Sequence, residues 1–237
     1  KTQISPEEIK EIQSTDVVPT VLTPELLDIA KEEADFAIRA LEIQEKYIGK
    51  EHPAIVSSLA NTAWCHFRAN DIEKCEDLWN RVLSIEKRVS GPYSGRTANA
   101  LASLGIINYF KLDFEEAERL LKKSLRLKEK YYGYDKWLHI GILKYDIGQT
   151  IVHRNPKEGA EEITQAIILF RRLLPNRQGG KRHQWYQLAL DTIAQLGSAT
   201  SLNNNVDKSL LLPPTKDFRS SQDSQPNLYD KNDVQLR

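Results

Sequence analysis

Apolar residues recur along most of this chain at intervals of three and four, the spacing of one face of an α-helix. The first such stripe follows Thr23-Pro24, a typical helix start, and runs to about Tyr47. Gly49 stands where a helix commonly ends in a left-handed residue. The pattern predicts an all-α fold.

One segment of the chain occurs three times at a constant interval of 42 residues. Residues 40–49 recur as residues 82–91 and again as residues 124–133, each with leucine second and glycine last. A fixed interval of this size indicates that one supersecondary unit is stacked on its copies. We therefore predict an α-solenoid of stacked antiparallel helix pairs, a fold whose usual role is to hold other proteins.

Each interval is predicted to contain a helix A and a helix B. Asp71, Asp113 and Asn155 lie 42 residues apart at the A-to-B turns, where a side-chain oxygen can cap helix B. The predicted helix pairs cover residues 53–69 with 71–89, 94–111 with 113–131, and 135–153 with 156–174.

The chain is predicted to have three parts. Residues 1–23 form an irregular leader with a short helix from Ser5 to about Gln13. Residues 24–199 form the helical repeat domain, closed by a capping helix at about 181–196 that Gly197 ends. The polar residues 200–237 cannot bury enough apolar surface to fold alone, and we expect an extended tail.

Composition limits the classes of partner. Lys and Arg together number 33, as do Asp and Glu, which argues against a general nucleic-acid binder. No stretch of eighteen apolar residues occurs, so no membrane span is predicted. Cys65 and Cys75 fall within one helix pair and are predicted to be reduced core residues, against the alternative of a redox pair. We predict an intracellular protein, most simply cytoplasmic, with mitochondrial and ciliary locations left open.

The helix pairs resemble the tetratricopeptide repeat, which places small residues in the middle of helix A and near the start of helix B. Here these are Ala63 with Cys75, and Gly105 with Ala117. Short side chains permit the close crossing of two helices. In the third pair Ile147 stands opposite Gly159, and the neighbouring Gly148 leaves a slipped register or a kink open.

The interval of 42 residues and the Gly49-x-x-His52-Pro53 turn narrow the resemblance to the kinesin-light-chain type of repeat. The similarity covers residues 24–174. It implies that one face of each helix A lines a concave groove for a protein partner. The implied groove positions are Ser57, Ala60, Trp64, Phe67, Arg68, Asn99, Ala102, Ile106, Tyr109, Lys111, Lys144, Gly148, Ile151 and Arg154.

Such a groove has an apolar and aromatic floor with basic residues at its edge, which suits a partner's amphipathic helix or extended peptide. The alternative is that Trp64, Phe67 and Tyr109 only pack between helix pairs. Chaperone-binding members of the family grip a carboxylate with Lys and Asn, whereas Trp64 and Ile106 stand at the matching positions here. The resemblance therefore argues against a co-chaperone.

Residues with catalytic spacing are missing from the sequence. There is no glycine-rich phosphate loop, no metal-ligand set among the five histidines and two cysteines, and no nucleophile–His–acid set. We predict no enzyme activity, no cofactor and no small-molecule substrate. A basic cluster at residues 171–183 favours a solvated helix end, with RNA, acidic lipid or an acidic protein tail as alternatives.

The function predicted is a non-enzymatic scaffold or adaptor that binds a partner's peptide or helix in the groove. A first alternative is a structural subunit that is built into a large assembly through its tail and outer helix faces. Because the sequence begins at Lys1 and contains no methionine, we expect its native start to lie upstream. This leaves a second alternative, the accessory interaction domain of a larger enzyme.

Overall fold

The computed structural model describes residues 24–132, 138–173 and 184–201. The described residues belong to two compact units, residues 24–107 and residues 108–201, here called the N-terminal and C-terminal units. The predicted leader helix, the tail beyond residue 201 and the basic residues from 177 to 183 lie outside the described part of the chain.

The regular structure described in both units is helical, which confirms the predicted all-α class. The helices follow one another in the order of the predicted helix pairs. The helices are α1 (Pro24–Ile48), α2 (Val56–Arg68), α3 (Ile72–Val89), α4 (Gly95–Phe110), α5 (Phe114–Tyr132), α6 (Leu138–Val152), α7 (Pro156–Leu173) and α8 (Gln184–Ser201), and a 3₁₀ turn (Pro53–Ile55) precedes α2. The boundary between the units falls within α4.

The three predicted caps all form. Asp71 accepts a hydrogen bond from the backbone N–H of Lys74 at 3.1 Å, where α3 begins. Asp113 caps α5 in the same way at 3.1 Å, and Asn155 caps α7 at 3.3 Å. Each cap satisfies a backbone donor that has no partner within its helix, so each B helix begins where the repeat interval predicts.

Glycines follow the ends of α1 and α3, which correspond to each other in the 42-residue interval. Gly49 and Gly91 have φ values of 92° and 87°, a conformation that residues with a side chain rarely adopt. The third glycine of this series, Gly133, lies outside the described residues.

In the N-terminal unit, α1 packs on α2 through small side chains. Ala30 and Ala34 of α1 contact Ala69, next to Cys65 of α2. The Thr62 hydroxyl of α2 donates to the carbonyl of Ala37 at 3.3 Å. Short side chains and a direct side chain-to-backbone bond both require close helices, so α1 is held tightly against α2.

The α2–α3 pair buries the small residues on which the repeat interpretation rests. Ala63 and Cys75 both have zero solvent exposure, and α2 packs along α3. Both cysteines are free thiols. Arg81 of α3 forms a 2.7 Å ion pair with Glu45 of α1, which links these two helices.

The third helix pair, α6 and α7, differs from the prediction at its crossing. A Cβ added to Gly148 would lie 2.8 Å from the carbonyl oxygen of Gly159 and 2.5 Å from the side chain of Ile163. The two glycine backbones are therefore in contact, and Ile147 does not face Gly159 as expected. The register is slipped by one residue because two glycines permit a closer approach than isoleucine on glycine.

In the C-terminal unit, α8 covers the end of the α6–α7 pair. Trp185, Ala189 and Leu190 of α8 join the core that contains Tyr145 and Phe170. The Tyr145 hydroxyl hydrogen-bonds the hydroxyl of Thr192 at 3.1 Å. The predicted capping helix is present, but the prediction that Gly197 ends it was wrong, since α8 continues to Ser201. A glycine inside a helix costs about 1 kcal/mol, which the preceding packing outweighs.

Gly148→Ala is expected to lower the free energy of unfolding by about 1–3 kcal/mol, because the new methyl group meets backbone atoms that cannot move aside. The measurement is urea unfolding followed by circular dichroism. Gly197→Ala is the matched control, since nothing lies within 4 Å of its added Cβ. It should leave stability unchanged or raise it by about 0.5–1 kcal/mol. Equal effects of the two substitutions would contradict the glycine contact.

Candidate functional site

Predicted groove residues from two different A helices line one small pocket in the N-terminal unit. Ser57 and Ala60 come from α2 and lie three residues apart on one face, and Asn99 comes from α4. The remaining lining comes from all three neighbouring helices: Val56, Trp79, Val82, Glu86, Arg96 and Ala100. The repeat geometry thus brings consecutive A helices to a common concave spot above α3.

Trp79, which lines this pocket, carries a hydrogen-bond donor without a partner among the described residues. Trp79 is only 3% exposed, and its indole Nε1 has no hydrogen-bond partner within the described part of the chain. Buried N–H groups are almost always paired, by protein or by an ordered molecule. Glu86, buried on the same wall, accepts a hydrogen bond from the Ser90 hydroxyl at 2.8 Å. Arg96, Ser57 and Asn99 are half-buried and complete the polar lining.

The pocket is small. Its volume of about 20 Å³ is close to the space that one water molecule requires. It therefore fits a water or the tip of one side chain, and not a metabolite. The apolar contribution comes from Val56, Ala60 and Val82.

The aromatic residues predicted for the groove floor in α2 pack on each other. Trp64 meets Phe67 edge-on at 5.4 Å between ring centroids, and it meets Trp79 in a similar way at 5.6 Å. Phe67 is 1% exposed, and Trp64 is half-buried. Arg68 forms a 2.9 Å ion pair with Glu33 of α1. These side chains thus take part in the packing of the unit.

In the second A helix, α4, the apolar positions Ala102 and Ile106 are each 9% exposed. Tyr109 lies in the C-terminal unit and is also buried; its hydroxyl hydrogen-bonds Nε2 of His153 at 3.3 Å. His153 in turn stacks on Phe114 at 4.0 Å. Lys111 is exposed in the turn that follows.

The predicted positions of α6 point mostly into the C-terminal unit. Lys144 is 5% exposed and donates to the Gln165 side chain of α7 at 2.9 Å. Ile151 is 1% exposed, and Gly148 lies at the α6–α7 crossing, so Gly148 does not line a groove as expected. Arg154 is exposed and forms a 3.0 Å ion pair with Glu118 of α5.

The C-terminal unit also contains a cluster of buried ionisable groups that the sequence pattern does not reveal. Lys128 of α5 and Asp146 of α6 are 3% and 5% exposed. Burial lowers the pKa of Lys128 to about 8, and attraction to Asp146 opposes that shift. Burial and the Lys128 charge together lower the pKa of His139 to about 4. His139 is therefore neutral at physiological pH.

Membrane spans and metal sites can be assessed for the described residues alone. None of their helices combines the length and the apolar character that crossing a bilayer requires. No three side chains among their His, Cys, Asp and Glu residues come together as a metal site would need.

Sequence reasoning missed six residues of the pocket, three of which carry polar side-chain atoms: Trp79, Glu86 and Arg96. Arg96 lies one helical turn before Asn99, so helical spacing places it on the same face as that implied groove position. Burial accounts for the ring of Trp79. Nothing in the sequence indicated that its indole N–H lacks a partner.

Comparison with known proteins identifies the repeats. Residues 71–130 match the family model of the tetratricopeptide repeat. This segment of the chain is therefore built from tetratricopeptide repeats. The match begins at the cap of α3 and ends within α5, so it includes the repeat unit that the 42-residue interval predicts.

Solved structures of other proteins share the fold of this chain. A Podosopora anserina protein described as a kinesin light chain with nearly identical TPR-like repeats has 12% identity and a TM-score of 0.57, and a single-substitution variant of that protein has 12% and 0.59. Each alignment covers 86% of this chain and 90% of the other. BtubC (BKLC) from P. vanneervenii has 15% identity and a TM-score of 0.53, over 76% of this chain and 80% of its own.

These likenesses confirm the predicted α-solenoid. At such low identity they show the fold alone. No curated protein sequence matches the chain.

The half-buried His139 predicts a specific loss of stability in acid. Its pKa in the folded protein lies below the unfolded value, so the unfolded chain takes up a proton first as the pH falls from about 6.5 to about 4. The stability that neutral His139 provides is complete above this range and is lost within it, by about 1–3 kcal/mol.

Urea unfolding at pH 7, 5.5 and 4 would measure this loss. His139→Gln should show a smaller decline across the range than the unsubstituted protein. His52→Gln, at an exposed histidine, should retain the full decline. Identical declines in all three proteins would show that His139 does not titrate in this way.

Proposed function

We propose that this protein is a non-enzymatic scaffold that holds a peptide or helix of a protein partner against its A helices. Tetratricopeptide repeats are in general protein-interaction modules, and their fold is typically non-catalytic. The finer assignment, a partner segment held at α2 and α4, is the proposal.

One observation carries the proposal. Ser57, Ala60 and Asn99 were selected from the sequence as partner-binding positions, and they line one pocket although they lie on different helices. A partner segment laid across α2 and α4 would contact all three at once. Residues that converge on one concave spot from separate elements are typical of a binding site.

The pocket's chemistry suits an acceptor group of a partner. The Trp79 indole N–H lacks an acceptor among the described residues, and the Arg96 side chain carries further donors. A backbone carbonyl, a carboxamide or a carboxylate of a docked segment supplies the missing acceptor. Val56 and Ala60 add apolar contact beside it. The partner group is therefore expected to be a short polar side chain or a main-chain carbonyl that is flanked by apolar residues.

Because Trp64 and Phe67 hold the fold, the experiment that tests the proposal spares them. Ser57→Ala combined with Asn99→Ala removes polar lining groups and leaves the packed aromatic rings in place. Affinity capture from an extract of the native source, followed by mass spectrometry, identifies retained proteins. The double variant should bind the captured partner about tenfold more weakly, since two hydrogen-bonding side chains are lost.

Asn80→Ala combined with Ser84→Ala is the matched control, because both residues lie on α3 outside the pocket. This control should bind as the unsubstituted protein does, and all three proteins should melt at similar temperatures. Equal binding by the pocket variant and the control would refute the assignment of the site.

A further inference from the structure

The first helix, α1, exposes an apolar face in the structure. Ile29, Phe36, Ile43 and Tyr47 are 55%, 68%, 60% and 80% exposed. They form one row with spacings of three and four residues that also includes Leu26, Glu33 and Ala40. This is the seven-residue pattern with which helices pair lengthwise. We call it the α1 row.

The 42-residue interval shows what the α1 row would do inside the array. It aligns Phe36 and Ile43 with Leu78 and Ile85 of α3, which are 3% and 0% exposed. The same face of a B helix is thus buried in α3 and exposed in α1. The difference is that α3 is preceded by its own helix A.

A helix A for α1 does not fit at the regular interval. Moving α2 (Val56–Arg68) back by 42 residues places it at residues 14–26, which overlap the start of α1 at Pro24. This stretch also contains Pro19, which removes a backbone donor and disfavours a continuous helix. The regular interval therefore supplies no helix A for the α1 row.

The charges beside the α1 row indicate that the partner is a second copy of this chain. Glu25, Glu32, Arg39 and Lys46 follow one another every seven residues along its outer edge, acidic first and basic afterwards. The sequence midpoint between Glu25 and Lys46 is the peptide bond between residues 35 and 36. The midpoint between Glu32 and Arg39 is the same bond. An antiparallel pair of α1 helices with its two-fold axis at this point sets each acid beside a base of the other copy.

In a parallel, in-register pair, the acidic half of this edge in one copy would lie beside the acidic half in the other copy. Repulsion between like charges disfavours that arrangement. Neither Glu32 nor Arg39 forms an ion pair within the described part of the chain. Arg39 lies 5.9 Å from the ring centre of Phe36, so its charge stays beside the row. Glu33, the charged member of the row, is already paired with Arg68 at 2.9 Å.

We propose that two copies of this chain associate through their α1 helices, packed antiparallel along the α1 row. The second α1 takes the place that a helix A would occupy in a regular repeat. The contact is isologous, since Phe36 lies near the axis and the same surface is buried in both copies. The pocket at Ser57 and Asn99 is not part of this surface, so the inference is independent of the proposed function.

Light scattering and sedimentation over a range of protein concentrations would test the association. The unsubstituted chain should be dimeric, and Phe36→Asp should be monomeric because it buries an unpaired charge at the axis. Tyr93→Asp is the control, an equally exposed aromatic residue in the turn before α4, and it should remain dimeric. Circular dichroism should show the same helix content in all three proteins.

Charge reversal tests the antiparallel arrangement. Glu32→Arg alone and Arg39→Glu alone should each raise the dimer dissociation constant about tenfold, because two attractive pairs become repulsive. An equimolar mixture of the two variants should regain the original affinity, since both contacts are then attractive. Lys87→Glu, an exposed reversal on α3, should change nothing.

Three results would overturn the inference. A monomeric unsubstituted chain that Phe36→Asp destabilises to heat would indicate that the chain's own leader covers the α1 row. A monomeric chain that Phe36→Asp leaves equally stable would assign the row to a different protein. A dimer whose charge-reversed variants do not recover on mixing would not be this antiparallel pair.

Discussion

Close approach between paired helices is the constraint on which this repeat protein depends. Ala63 and Cys75 are fully buried in the α2–α3 pair, and Gly148 and Gly159 bring the α6 and α7 backbones into contact. Larger side chains at these points would separate the helices and expose the apolar surface between them. The constant repeat interval therefore depends on the positions of the helix crossings as well as on the lengths of the helices.

The capped turns show why most of the fold was predictable. Asp71, Asp113 and Asn155 act locally, since each binds a backbone group three residues away. Such chemistry is visible in a sequence without any knowledge of tertiary contacts. The same holds for Gly49 and Gly91, whose backbone conformation favours glycine in any surroundings.

Where prediction failed, a tertiary contact decided between local alternatives. Ile147 and Gly148 both fit the helical pattern, and only the closeness of Gly159 selects Gly148 for the crossing. Gly197 resembled a helix end, but α8 continues past it because the packed part of the helix outweighs a local penalty. Part of the pocket lining was predictable, since the family resemblance implied Ser57 and Asn99, whereas the missing partner of Trp79 depends on three-dimensional surroundings.

Glu86 and Lys128 occupy the same place in successive repeats, and the next copy has Phe170 there. All three are nearly excluded from solvent, at 5%, 3% and 0% exposure. The same position of the repeat thus accommodates an acidic side chain, a basic side chain or an aromatic ring. A designer who wished to extend this protein with idealised copies would take phenylalanine from the last repeat, because an apolar ring there carries no desolvation cost and can be multiplied along an array.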